Sequence, residues 1–153
     1  MLNVMFVCTG NICRSAMAEG YLKYRLKELN LEENVKVTSS GVYARDGERS
    51  TEDAINVIKK YGADISSHKA VNIARSNIEK IDYIFVMTNS HKDNVIARYP
   101  NKADKVYLLK EYSKDKDYME IDDPWGYNTE TYELCAKEIV ECIDNFIEQE
   151  LLK

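Results

Sequence analysis

Long hydrophobic runs are missing from this sequence. No stretch approaches the roughly 20 apolar residues that span a bilayer, so no membrane segment and no membrane partner are expected. An excess of positive charge is missing too: 21 Lys and Arg stand against 26 Asp and Glu, for a net charge of −5. That balance argues against broad binding to nucleic acid or to a membrane surface, since both need a basic face. The opening stretch, Leu2 to Val7, has neither a basic flank nor a small-residue cleavage pattern, so a secretory leader is not expected. No internal repeat, low-complexity segment or Pro/Gly/Ser-rich linker interrupts the chain. Histidine is scarce, with two residues at 68 and 91, and the four cysteines at 8, 13, 135 and 142 show no Cys-x-x-Cys spacing. This speaks against a structural zinc site and against a secreted disulfide framework; reduced thiols in a cytoplasmic protein are the expectation.

What is present suits one domain over residues 1–153. At 44% hydrophobic and 31% charged, the chain can bury an ordinary core. Short β-type runs at Leu2–Val7, Val35–Ser39, Asp82–Met87 and Lys105–Leu109 alternate with longer stretches of helical period. Ser15–Leu29 places Met17, Ala18, Tyr21, Leu22, Leu26 and Leu29 on one stripe, and Ser50 and Thr51 precede Glu52 and Asp53 as a cap and acidic first turn for a helix ending near Gly62. Ser90–Tyr99 reads as helix up to Pro100, with His91 placed on its surface. A last helix begins near Thr129 and carries Cys135 and Cys142 on its core stripe. Strand–helix alternation predicts an α/β domain of three layers, a parallel sheet with helices on both faces. Lys110–Gly126 is the longest stretch without periodicity, and it contains Asp122-Asp123-Pro124-Trp125.

The segment that carries chemistry is Val7-Cys8-Thr9-Gly10-Asn11-Ile12-Cys13-Arg14-Ser15, between the first strand and the first helix. Ligands of parallel sheets bind beyond the carboxyl ends of strands. A loop of successive backbone N–H groups ending in a helix N-terminus is a concave anion site. Gly10 and Asn11 are the residues that most easily take the positive φ of such a loop, and Arg14 offers a planar fork to a tetrahedral oxyanion. Cys8 at the floor of the cup is then favoured as a thiolate by the helix dipole and Arg14. Ser15 either caps the helix or hydrogen-bonds that thiolate. A bare Cys-x5-Arg is a weak signal; its placement after a strand, with the Gly-Asn pair and a serine opening a helix, makes it specific.

The segment resembles the signature of the low-molecular-weight protein-tyrosine phosphatases, Cys-x-Gly-Asn-x-Cys-Arg-Ser, and the similarity runs over the full chain. The resemblance implies a four-stranded parallel sheet with the phosphate loop at its switch point, and a phosphocysteine mechanism on Cys8 with no metal or other cofactor. It places a general acid in an Asp-Pro-aromatic sequence, here Asp123-Pro124-Trp125, with Asp122 as the competing carboxyl. Physically, a basic phenolate leaves more easily when an acid protonates it, and a carboxyl on a loop beside a bound dianion should keep its proton long enough to donate. Ionised, the same group can activate the water that cleaves the phosphoenzyme. The resemblance further implies that Cys13 can pair with an oxidised Cys8, and that Ser39 and His68 brace Asn11 and the loop.

Three positions depart from the family pattern. Ala16 stands where proline is usual, Trp125-Gly126-Tyr127 follows Asp-Pro where animal members have two adjacent tyrosines, and Gly41–Arg45 lacks a tryptophan that many members carry. Tyr43 and Trp125, with Ile12, are the expected walls of a pocket for an aromatic ring. These features, with Met87-Thr88 and Leu109–Tyr112, resemble the bacterial branch that includes protein-arginine phosphatases. In that branch a threonine before the second loop cysteine favours phosphoarginine; Ile12 offers apolar contact instead, so phosphoproteins bearing phosphotyrosine are the expected substrates and phosphoarginine the alternative. A thioredoxin-coupled arsenate reductase would need further cysteines in the middle of the chain, and residues 76–92 have none. A non-catalytic phosphate-binding module would not need Cys8 and Asp123 together. The expected assembly is a monomer or a weak self-associate, given the scattered tyrosines.

Overall fold

The computed structural model describes residues 1–153. Leu2–Cys8 (β1) is a continuous run of buried residues at its carboxyl half, as expected of a strand covered on both faces. Its side chains alternate across the sheet: Val4, Phe6 and Cys8 enter one core, Met5 and Val7 the other. Val4, Met5, Phe6 and Val7 are fully buried, and each contributes about 1.5–3 kcal/mol of burial free energy.

Arg14–Glu28 (α1) follows, then Val35–Gly41 (β2), Glu52–Lys59 (α2), Tyr83–Val86 (β3), Asn89–Arg98 (α3), Val106–Leu108 (β4) and Thr129–Phe146 (α4), which ends in a π-helical turn over Ile147–Leu151. Short 3-10 turns at Ile73–Arg75, Ile78–Lys80, Pro100–Lys105 and Leu109–Tyr112 join the elements. All four strands pair in parallel in the order β2-β1-β3-β4, with Leu2 opposite Val35, Val4 opposite Tyr83 and Ile84 opposite Val106. The larger core lies between the sheet and α1, α2 and α4; the smaller one lies under α3 and the 3-10 turns on the opposite face. This is the three-layer α/β architecture that the alternation of strands and helices predicts; element ends fall within one or two residues of expectation except that of α2, which stops at Lys59, three residues before Gly62.

Strand order fixes where a ligand can sit. The chain leaves β1 to one side for β2 and to the other side for β3, so a crevice opens beyond the carboxyl end of β1. Residues 9–13 occupy that position. After the turn at Leu109–Tyr112, residues 113–128 run without helix or strand across the same end of the sheet. No helix is long and apolar enough to cross a membrane. Cys135 and Cys142 are buried on α4, and burial pushes both thiols up, which agrees with their expected core role.

Candidate active site

Asn11 organises the loop after β1. It is fully buried and sits at φ 57°, the left-handed region that asparagine tolerates better than most residues. Its Nδ2 donates to Ser15 Oγ and Ser39 Oγ, both at 2.8 Å, and its Oδ1 accepts from Val71 N at 2.9 Å. Its carbonyl accepts from His68 Nε2 at 2.7 Å, so Nε2 carries a proton. Ser39 in turn donates to Glu19, and His68 Nδ1 lies 3.8 Å from the same carboxylate. Ser39 and His68 thus meet the one left-handed residue of the loop, Ser39 at its side chain and His68 at its carbonyl. Gly10 differs from expectation: only Asn11 takes the positive φ, and a Cβ on Gly10 would have room, 3.6 Å from Ile12. The glycine that the loop does require is Gly41, at the end of β2. A Cβ there would come within 2.5 Å of Thr9 O and 2.9 Å of Asn11 N. Without it, β2 could not run on beside the loop, where Val42 N and Tyr43 N donate to Cys8 O and Thr9 O.

Cys8 is buried at the floor, with its Sγ 2.9 Å from Ser15 Oγ. Ser15 Oγ already accepts from Asn11 Nδ2, so its own proton is free to donate to the sulfur. The hydroxyl thus serves the thiol and not the helix cap: Cys13 is the residue at the cap position of α1 and no side chain caps it. No acidic residue lies in the first turn, so the N–H groups and positive end of α1 are open to an anion.

Arg14 is buried, yet it lines the cavity above Cys8. Its Nη1 donates to Ile121 O at 2.8 Å, its Nη2 lies 3.7 Å from Asp123 Oδ2, and its Nε is buried with no hydrogen-bond partner. The guanidinium is aimed by the segment that carries Asp123, and one of its donors remains for a ligand. Asp123 Oδ1 accepts from Trp125 N at 3.0 Å, a short turn that presents the other oxygen to Arg14. Asp122, the competing carboxyl, instead accepts from Tyr118 and does not line the cavity.

The cavity has a volume of about 370 Å³. Cys8, Thr9, Gly10, Ile12, Cys13 and Arg14 form its base, and Asp123, Trp125, Arg45 and Glu48 its rim. Trp125 stands there 62% exposed. Tyr43 does not: it is 71% exposed and turned away, and its hydroxyl accepts from Asn94. Arg45, two residues on, lines the rim instead. Sequence pattern alone pointed to an aromatic residue there and had no signal for the two rim charges.

Cys13 is 4% exposed, with its thiol 3.4 Å from Tyr132 hydroxyl and 3.5 Å from Thr51 Oγ1. Burial pushes this thiol up, against the opposing effect of those two hydroxyls. His91 is the clearest departure from the sequence reading. It is buried and not on the surface, with Nε2 2.8 Å from Thr9 Oγ1 in the loop. The helical period of α3 placed its polar residues outward; packing of the first turn against the loop overrides it. No cluster of three or more His, Cys, Asp or Glu that could hold a metal ion is present.

Comparison with known proteins agrees with this geometry. A family model described as low molecular weight phosphotyrosine protein phosphatase matches residues 3–153. A protein-arginine-phosphatase of Geobacillus stearothermophilus is 34% identical over 146 residues, covering 95% of this chain and 94% of that one. A probable low molecular weight protein-tyrosine-phosphatase EpsP of Ralstonia solanacearum is 32% identical over 144 residues, covering 94% and 92%. The crystal structure of a low molecular weight protein tyrosine phosphatase from T. tengcongensis matches with a TM-score of 0.88 and 36% identity, covering 97% of this chain and 99% of that one. The chain belongs to the low molecular weight phosphotyrosine protein phosphatase family, whose enzymes depend on a cysteine and not on a metal.

Proposed function

We propose that the protein, as one domain over residues 1–153, removes phosphate from phosphotyrosine in protein substrates, with Cys8 as nucleophile and Asp123 as general acid and base. The observation that carries this reading is the convergence on one cavity of Cys8, the open N-terminus of α1, the unpartnered Nε of Arg14 and the Asp123 carboxyl. Backbone N–H groups of Thr9 to Ser15 and the Arg14 guanidinium hold the equatorial phosphate oxygens. The Cys8 thiolate, hydrogen-bonded by Ser15, attacks phosphorus as the bond to the tyrosyl oxygen breaks, and Asp123 gives its proton to that oxygen. Asp123, now a carboxylate, takes a proton from a water that attacks the phosphocysteine, releasing inorganic phosphate and restoring the thiolate. Asp123 Oδ2 lies 3.7 Å from Arg14 Nη2, which sets the carboxyl beside a phosphate held by that guanidinium.

The substrate choice rests on Ile12 and Trp125. Ile12 brings an apolar side chain to the cavity base and Trp125 an indole to its rim, a lining suited to a phenyl ring. Phosphoarginine is the second reading, favoured by the protein-arginine-phosphatase among the relatives. On the same assignment Cys13 is the thiol that meets Cys8 once a peroxide has oxidised it to the sulfenic acid, the condensation releasing water. The four free cysteines support a cytoplasmic location, and the same reading takes the protein as a monomer or weak self-associate.

The test is hydrolysis of p-nitrophenyl phosphate. Turnover persists with a metal chelator present and disappears in Cys8→Ser while the fold is kept. Activity that survived that substitution would remove Cys8 from the mechanism.

A further inference from the structure

His91 has no part in the scheme above, yet it is 5% exposed and reaches the phosphate loop from the opposite side of the site to Asn11. Its place is fixed by its helix. Thr88 caps α3 by accepting from His91 N at 3.2 Å, so the ring projects from the first turn with little freedom. Nε2 meets Thr9 Oγ1 at 2.8 Å, and Nδ1 is buried with no hydrogen-bond partner. A buried N–H without an acceptor costs more than a bare lone pair, so the proton of the neutral ring sits on Nε2 and the ring donates to Thr9. Burial first, and then the Arg14 guanidinium, press the imidazole down to about 4, with Asp123 opposing. A charged ring would strand a second N–H on Nδ1.

The same short segment of chain also grips the irregular segment that carries Asp123. Ile121 N donates to Met87 O at 2.9 Å and Asn89 N to Glu120 Oε2 at 2.7 Å, while Ile121 O receives Arg14 Nη1. Residues 87–91 therefore bracket both halves of the site, one through Met87 and Asn89 and the other through His91.

We propose that His91 is a positioning residue: by donating from Nε2 to the Thr9 hydroxyl it fixes the first turn of the phosphate loop and leaves the Thr9 proton for the bound oxyanion. Thr9 lines the cavity and is half-buried, so a hydroxyl that has already accepted one hydrogen bond can direct its own proton to the ligand. Neutral imidazole is required, because it is the single-donor ring that satisfies Thr9 without burying an unpaired N–H. The proposal rests on the assignment of this loop as the phosphate site.

The experiment compares His91→Leu, His91→Gln, Thr9→Val and the His91→Leu/Thr9→Val double variant. Each is measured for kcat and KM on p-nitrophenyl phosphate and for binding of inorganic phosphate by calorimetry. The expected result is a fall of about tenfold in kcat for either single variant, no further fall in the double variant, and partial recovery with glutamine, whose amide can still donate. Nitrogen NMR of the wild-type ring should show a proton on Nε2 and none on Nδ1 at about pH 6, where an unburied imidazole is largely charged. Additive losses, a folded His91→Leu of wild-type kcat and phosphate affinity, or a charged ring at that pH would overturn the proposal. Should His91→Leu not fold, Thr9→Val and the ring spectra still decide it. Loss of all turnover in the wild-type protein would defeat the catalytic reading instead, and phosphate affinity in the variants would then judge the His91–Thr9 pair alone.

Discussion

At the scale of single residues, the site divides into groups that meet the substrate and groups that hold them still. On the proposed mechanism Asp123 belongs to the first kind, and its duty differs with the leaving group. Replacing it with asparagine keeps the turn to Trp125 N but removes the transferable proton. The expected outcome for Asp123→Asn is a kcat loss of about 10²–10⁴-fold on phosphotyrosine, with a much smaller loss of the first step on an aryl phosphate whose phenol is strongly acidic. Burst kinetics on the two substrates measure this; equal losses would deny Asp123 the acid role. On the proposed reading, Ile12, which lines the cavity, is the residue that sets substrate choice. Parallel turnover of phosphotyrosine and phosphoarginine should favour phosphotyrosine, and Ile12→Thr should move the ratio toward phosphoarginine. One polar contact in the base of the cavity is worth about 1 kcal/mol, so a change of roughly fivefold is expected. A higher specificity constant on phosphoarginine in the unchanged protein would reverse the assignment.

At the scale of elements, the loop between β1 and α1 works because three other elements lie against it. The end of β2 supplies Ser39 and Gly41, the turn before residue 71 supplies His68 and Val71 N, and α3 supplies His91. Gly41→Ala tests this arrangement, since its new methyl would press on Thr9 O and Asn11 N, neither of which can move without moving the loop. The expected outcome is a drop in kcat of at least about tenfold together with a lower melting temperature, measured by steady-state rates and thermal unfolding. Wild-type kcat in that variant would mean that the loop tolerates displacement. Cys8, Asn11, Arg14, Ser15 and Asp123 were legible because their chemistry is tied to local order: strand, tight turn, helix start, and a proline after the carboxyl. Gly41, His91 and Arg45 were not, because each reaches the site through tertiary packing that leaves no mark on sequence spacing. A glycine needed for close approach looks like any strand-end glycine, and a histidine at the first turn of a helix reads as a polar surface residue. Tyr43 failed for the reverse reason, since aromatic character is visible in the sequence and side-chain direction after a turn is not.

At the scale of the whole molecule, the buried imidazole of His91 ties stability to pH. Its folded value, pressed to about 4, lies below the ordinary value of 6.5, so between those limits the unfolded chain binds more protons than the native one. The stabilisation this gives is complete above about 6.5 and is lost as pH falls toward 4. The melting temperature should therefore decline through that window, and His91→Gln should flatten the decline relative to the wild-type protein; parallel slopes would show that the ring titrates normally in the fold. The architecture makes the same point in space: a parallel sheet with its switch point at the end of β1 offers one crevice, and Cys8, Arg14 and Asp123 line it. The covalent intermediate is therefore the most direct test of the account. Protein mixed rapidly with a phosphotyrosine peptide, quenched in acid and digested, should yield one phosphoryl group on the sulfur of Cys8, appearing with the burst and decaying with turnover. A phosphoryl group on any other side chain, or turnover with Cys8 never modified, would contradict it.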